Sequence, residues 1–228
     1  MARPSVLAAF CGVGGDSVGW DAAGFTVRGV DHSLQPDYPF TSHLGDAVSF
    51  IYTSGRHFEL ITAGPPCQHD NMLTAGTNAG KFEYPDLLIP TLRALQWTGR
   101  PWVLEQPPGL ATARMRDLVG PPDLTLCGEM FGLGVLRHRN FWLSGVRVPK
   151  PAHKPHRGRV AGMRHGEWFD GPYFAVYGEG GGKGTVAQWQ KAMGIDWTEN
   201  RKSIAEAIPP AYAQYIGSHA LSQLKVST

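Results

Sequence analysis

Cysteine is scarce in this chain: Cys11, Cys67 and Cys127 are the three among 228 residues. They are too few and too far apart for a disulfide framework or a CxxC metal site, so no bound metal is expected. Nor does any uninterrupted apolar run approach the roughly 18 residues of a bilayer span, which excludes a membrane partner. Met1-Ala2-Arg3-Pro4 leads straight into a strand-like segment, without the apolar stretch and small-residue cleavage site of a secretory signal, and a cytoplasmic location is expected. Internal repeats are missing too. What is present, 42% hydrophobic and 18% charged residues, is the composition of a soluble globular chain and excludes collagen-like and disordered classes. The length suits one full core with room for a small inserted lobe. A cysteine singled out by its surroundings would then be a nucleophile.

The net charge of +2 conceals an asymmetry. Eight of the 21 Lys and Arg, but three of the 19 Asp and Glu, fall between Val146 and Gly194, so that segment is at +5 and the remainder at −3. A basic lobe on a mildly acidic body predicts a polyanionic partner met by one face.

Ser5 to Phe10 reads as a strand, Cys11-Gly12-Val13-Gly14-Gly15 as a glycine turn, Asp16 to Ala23 as a helix closed by Gly24, and Phe25 to Val30 as a second strand ending at Asp31. Phe58 to Ala63 is a further strand that runs into the stiff turn Gly64-Pro65-Pro66, with Cys67 directly after it. Leu87 to Trp97 has helical periodicity, and Pro101 to Leu104 is a buried strand ending at Glu105. Alternating strands and helices predict a largely parallel sheet covered on both faces, with ligand-binding groups at the carboxyl ends of its strands. From Val146 the texture turns to Pro, His, Arg and Gly, and the strand candidates there are Gly171 to Tyr177 and little else. That stretch predicts a loop-rich insertion with a thin core. Helical pattern returns from Arg201 to Ala207 and from Ala211 to Leu224.

The notable polar residues fall at strand ends: the Gly12 to Gly15 loop, Asp31, Asp46, Cys67 and Glu105. The glycines form GxGGxxxG, not the GxGxxG dinucleotide fingerprint, so the turn by itself admits either a ligand cradle or a tight strand-to-helix connection. Isolated cysteines are usually small buried hydrophobes, which covers Cys11 and Cys127. Cys67 differs because two prolines hold it at a strand end.

Taken in order, Phe10-Cys11-Gly12-Val13-Gly14-Gly15, Gly64-Pro65-Pro66-Cys67-Gln68, Glu105-Gln106-Pro107, Arg137-His138-Arg139 and Ile208-Pro209-Pro210-Ala211-Tyr212 with Ile216-Gly217 resemble the motifs of the C5-cytosine DNA methyltransferase family, over most of the chain. The resemblance implies a Rossmann-like α/β sheet that binds S-adenosylmethionine and releases S-adenosylhomocysteine. It implies a catalytic domain made of residues 1–145 plus 195–228, and a small target-recognition domain at 146–194 like that of compact, phage-like members. Cytosine C5 becomes nucleophilic only once something adds to C6, so Cys67 is the implied nucleophile and Glu105 the acid at N3. Arg139, and secondarily Arg137, would contact the flipped base and its phosphates. Asp31 would hold the cofactor ribose and Asp46 the adenine amino group, unless Asp46 merely caps a helix. Phe10 and His32 would flank the cofactor, Gly12, Gly14 and Gly15 cradle it, and Leu87 pack on the adenine. Gln68, Arg157, Arg159, Arg164 and Lys183 are the candidate nucleic-acid contacts.

The sequence departs from the family at His69-Asp70-Asn71, at Gln106-Pro107 in place of Asn-Val, at Val135, and at Ala205-Glu206-Ala207, where Glu206 either approaches the cofactor or faces solvent. The expected partner is duplex DNA, the expected state a monomer in a prokaryotic or phage-infected cell, and restriction-modification the expected setting. The same chemistry on transfer RNA, a catalytically silent nucleic-acid-binding relative and a nucleotide-level enzyme are the competing readings.

Overall fold

The computed structural model describes residues 2–66, 85–178 and 182–224. Cys67, Gln68 and His69-Asp70-Asn71 lie outside the described residues, as do Glu179 to Gly181.

The first half alternates strand and helix: β1 (Ser5–Ala9), α1 (Gly15–Ala22), β2 (Thr26–Asp31), β3 (Ser42–Leu44), α2 (Ala47–Ser54), β4 (Leu60–Ala63), α3 (Leu88–Thr98), β5 (Trp102–Gln106) and α4 (Leu110–Val119). Then come β6 (Leu124–Leu126) and β7 (Arg139–Ser144), which complete a seven-stranded sheet in the order β3-β2-β1-β4-β5-β7-β6. The first five strands run parallel and β7 is antiparallel to both its neighbours. All residues of β4 and β5 are buried, as expected for central strands covered on both faces.

Alternation along those strands divides the core in two. Val6, Ala8, Leu60 and Val103 pack with Trp20, Tyr212 and Ile216 on one face. Leu7, Ala9, Ile61 and Leu104 pack with Ile51, Leu92, Leu95 and Met115 on the other. Each Val, Leu, Ile or Met side chain among them, fully buried, stabilises the fold by roughly 1.5–3 kcal/mol. On the first face α1 lies against α7 (Pro210–Ala220), and two glycines set that approach. A Cβ on Gly15 would stand 2.2 Å from the Ile208 carbonyl oxygen, and one on Gly19 2.1 Å from that of Pro210. Half of the GxGGxxxG pattern is therefore a packing device.

The 146–194 segment holds more regular structure than its composition predicts. β8 (Val160–Arg164) and β9 (Glu167–Phe169) form an antiparallel hairpin, β10 (Tyr173–Phe174) adds to β8 in parallel, and α5 (Val186–Met193) follows. The hairpin turn is His165-Gly166, both at positive φ (51° and 84°), which is the two-residue turn compatible with strand twist. Its core is not thin, because Val176, Trp189, Ala192 and Met193 pack with Val135, Ile195, Ile204 and Ala205. The last two come from the segment that leads through α6 (Arg201–Glu206) to α7. Among the described residues no helix is long and apolar enough to cross a membrane.

Candidate active site

At the carboxyl end of β1 the chain turns sharply. Phe10 takes a positive φ of 60° and Gly12 one of 48°. The Gly12 amide donates to Asp31 Oδ2 at 3.0 Å and the Ser33 amide to Oδ1 at 3.0 Å. Two backbone donors thus fix the plane of a buried carboxylate and leave acceptor capacity on both oxygens for a ligand's hydroxyls. A Cβ on Gly12 would meet nothing within 4 Å, so the space beside the turn is open. The donor set and this space fit an adenosine-type cofactor. The Trp197 indole donates to the Val13 carbonyl at 2.9 Å, which ties the loop to the returning chain. His32 is exposed with Nδ1 3.3 Å from Asp31 Oδ1. Asp46 is the N-cap of α2, accepting from the Ser49 amide at 2.7 Å, and the Ser49 hydroxyl together with that amide holds its carboxyl below the usual range. Leu87 is the residue before α3 and is half-buried.

Glu105, next to last in β5, is buried at 7% exposed. Arg139, across the antiparallel β5–β7 pair, brings Nε to 2.8 Å from its Oε1. No hydrogen-bond donor is aligned on Oε1 among the described residues. Burial pushes the Glu105 carboxyl up, and Arg139 and Arg137 pull it back only in part, so the group favours its protonated form more than a free carboxyl does. A Cβ on Gly64 would lie 3.3 Å from Glu105 Oε2. The Gln106 amide donates to the Pro65 carbonyl at 2.8 Å. The Gly64-Pro65-Pro66 turn is therefore braced against the end of β5, and Gln106, a departure from the family pattern, supplies the brace.

Arg137 is buried, and it donates to the Val176 carbonyl at 2.9 Å and the Ala205 carbonyl at 2.7 Å. Those bonds join the lobe to the returning segment. A cleft of about 740 Å³ opens beside Arg139, lined also by Pro107, Met163, Arg164, Phe174 and Lys183. Arg164 and Lys183 thus line the same cleft as Arg139, the partner of Glu105. Lys183 also donates to the Tyr177 carbonyl at 2.9 Å and lies 4.0 Å from that ring's centroid. Arg159 donates to the Asp170 carbonyl at 2.8 Å and stacks on Phe169. Arg157 lies elsewhere, in a concavity of about 320 Å³ with Glu129, His153 and Lys154.

Two groups escaped the sequence reading. Asp16, in the first turn of α1 and half-buried, is pushed up to about 6 by burial, with Glu105 adding to the shift. Only its place next to the glycine turn could have pointed to it. Cys127, His138, His153 and His156 also come together, from spacings that match no CxxC pattern.

The sheet order, with ligand-type groups along the carboxyl ends of its parallel strands, is the Rossmann-like fold of S-adenosylmethionine-dependent methyltransferases. Among solved structures, the S. pombe Dnmt2 methyltransferase aligns over 96% of this chain and 98% of its own at TM-score 0.64 and 13% identity. The Entamoeba histolytica methyltransferase EhMeth aligns over 97% and 99% at TM-score 0.61 and 10% identity. A DNA modification methyltransferase encoded within an E. coli prophage shares 22% identity over 62% of this chain, which spans 46% of that protein at TM-score 0.46. No family model matches the sequence, and neither does any curated protein.

Proposed function

We propose that this protein is a DNA (cytosine-5)-methyltransferase acting on a short duplex site with a flipped-out cytosine. The observation that carries the reading is the buried Glu105 carboxyl, paired with Arg139 and set against Gly64, three residues before Cys67 in sequence. S-adenosylmethionine, when bound, supplies the electrophilic methyl group. Asp31 would receive its ribose hydroxyls and the Gly12 turn would admit it closely, with Phe10, Gly14, Gly15, His32, Asp46 and Leu87 around it. The Cys67 thiolate adds to C6 while Glu105 gives its proton to N3, so the ring's electron pair is directed to C5 and no charge accumulates on the base. Once C5 carries the methyl group, the C5 proton leaves to solvent, its electron pair expels the thiolate from C6, and the N3 proton returns to the Glu105 carboxylate. Arg139 holds Glu105 from one side and faces the cleft on the other. Its neighbours there, Arg164 and Lys183, support a phosphate backbone as the cleft's occupant.

The test is incubation of the purified protein with methyl-labelled S-adenosylmethionine and duplex DNA, transfer RNA or dCMP. The expected result is label as 5-methylcytosine in the duplex alone, lost in Cys67→Ala while cofactor binding persists. Label in transfer RNA or dCMP alone overturns the DNA reading. Turnover of Cys67→Ala within about tenfold of wild type overturns the thiolate mechanism, which requires the group itself. Cofactor binding without transfer to any of the three overturns the enzyme reading in favour of a silent nucleic-acid-binding relative.

A further inference from the structure

A second constellation lies at the far edge of the sheet. Leu126 of β6 pairs with Arg139 of β7 in antiparallel register, so the next residues outward, Cys127 and His138, oppose each other. Gly128 permits that geometry: a Cβ there would stand 2.2 Å from the Val135 carbonyl oxygen, and the Leu133 amide closes the turn on the Gly128 carbonyl at 3.0 Å. Onto this pair folds the segment that leads into the lobe, contributing His153 and, three residues on, His156. One ligand atom from each of the four side chains lies within 4.8 Å of all the others. Cys127 Sγ is 3.4 Å from His156 Nε2, and His153 Nε2 is 3.1 Å from the same nitrogen.

The two short separations, 3.4 and 3.1 Å, are close to those a tetrahedral metal imposes, and a bound ion would draw the four atoms, all within 4.8 Å of one another, onto that geometry. With Zn–S about 2.3 Å and Zn–N about 2.0–2.1 Å, tetrahedral angles require S···N near about 3.6 Å and N···N near about 3.3 Å. One thiolate with three imidazoles is a donor set that selects Zn²⁺ over the hard cations Mg²⁺ and Ca²⁺. Glu129 stands just outside. Its Oε1 accepts from the Tyr173 hydroxyl at 2.6 Å, and its Oε2, 3.8 Å from His156 Nε2, has no hydrogen-bond donor among the described residues. The nitrogen it approaches is the one facing the other three side chains, so this carboxylate adds negative charge beside a bound cation.

We propose that Cys127, His138, His153 and His156 form a structural Zn²⁺ site that staples the segment entering the 146–194 lobe to the β6–β7 edge. All four positions are filled by the protein, so the site is closed and has no place for substrate. Its second effect is positional, because His138 directly precedes Arg139 and the metal would fix the end of β7 from which Arg139 reaches Glu105. The site stands independently of the proposed methyl transfer.

Its test reads metal, not activity. The full chain, untagged and grown with zinc, is analysed for metal content, then stripped with a chelator and reloaded with Co²⁺. The expected results are about one zinc per chain, the visible bands of tetrahedral cobalt with thiolate-to-cobalt charge transfer, and a lower Tm after chelation. Cys127→Ser should lose the charge-transfer band. His153→Ala, a change at an exposed side chain that leaves the core untouched, should weaken zinc affinity at least about tenfold, since even loss of an outer partner costs that much, and should reduce the chelator's effect on Tm. A folded wild-type chain that takes up neither metal would overturn the site and leave a hydrogen-bonded cluster. Wild-type zinc affinity in both variants would also overturn it, by locating the metal elsewhere.

Discussion

The carboxyl ends of the parallel strands and the 146–194 lobe wall neighbouring parts of one molecule, yet they are specified differently. At the strand ends each candidate group sits on the buried part of a strand, and its direction follows from sheet geometry: Asp31 from the buried end of β2, Glu105 from β5, buried throughout. In the lobe the strands are two to five residues long, and the positions of Arg164 and Lys183 depend on a helix, a hairpin turn and borrowed packing from α6. A site built on the first kind of scaffold is set by the sheet; one built on the second is set by what anchors the lobe. Mutations should therefore act sharply at the strand ends and diffusely in the lobe.

The largest effect is expected at Glu105. Glu105→Gln keeps the shape of the side chain and removes the transferable proton, so methylation should fall by roughly 10² to 10⁴ while DNA affinity changes much less. Steady-state rates beside equilibrium DNA binding make the check. A loss of affinity in proportion to rate would make Glu105 a binding group and erase the contrast with the lobe.

The next effect is on the scaffold. Gly19→Val forces a side chain onto the Pro210 carbonyl, where a Cβ alone would stand at 2.1 Å, and α7 has to move. Denaturant unfolding should show a loss of about 3 kcal/mol or more, the range of severe core overpacking. Gly12→Ala should cost only the roughly 1–2 kcal/mol of an alanine held at positive φ, since its Cβ meets nothing within 4 Å, and should weaken cofactor binding besides. Equal stability losses in the two variants would remove the distinction between the packing and open glycines.

This division marks what could be read from the sequence. The strand-turn-helix pattern, the parallel sheet and the strand-end positions of Asp31 and Glu105 were legible because apolar runs and glycine punctuation encode them locally. That Gly15 and Gly19 serve α7 was not, since their partner lies nearly 200 residues away in the sequence. The antiparallel β6 and β7 also escaped, because nothing local in a short apolar run specifies its direction. In the lobe, His165-Gly166 and the Thr185–Gln188 capping box were readable signals for the hairpin and for α5. They were outweighed by a Gly-, Pro- and His-rich composition. The commitment of Arg137 to the Val176 and Ala205 carbonyls had no sequence signature at all.

A smaller effect, readable through pH, belongs to Asp16. Its carboxyl is raised to about 6 in the folded protein by burial, above the about 3.9 of an unfolded chain. The favourable contribution of the protonated group is fully present below the unfolded-chain value and is lost as pH rises to about 6. Asp16→Asn, which cannot ionise, should therefore gain stability over wild type between pH 4 and pH 6 and hold a constant advantage above that, of about 1–3 kcal/mol at most. Thermal unfolding across that range checks the sign. An advantage independent of pH would show that Asp16 is not the group responsible.

The smallest expected effect is in the lobe, where it separates residues that composition treats alike. Arg164 and Lys183 line the cleft beside Arg139, whereas Arg157 lines a different concavity with Glu129, His153 and Lys154. If the cleft receives a phosphate backbone, each phosphate deprived of its cationic side chain takes about 0.9 from the slope of log affinity against log salt. Arg164→Gln with Lys183→Gln should make that slope shallower by about 1.8, and Arg157→Gln should leave it unchanged. Cytosine preference should survive in both, because phosphate contacts position the duplex without reading its bases. Titrations at several salt concentrations decide it. Equal slope changes from the cleft pair and from Arg157 would mean that the lobe's charge acts as a diffuse field, and the cleft would lose its claim as the path of the nucleic acid.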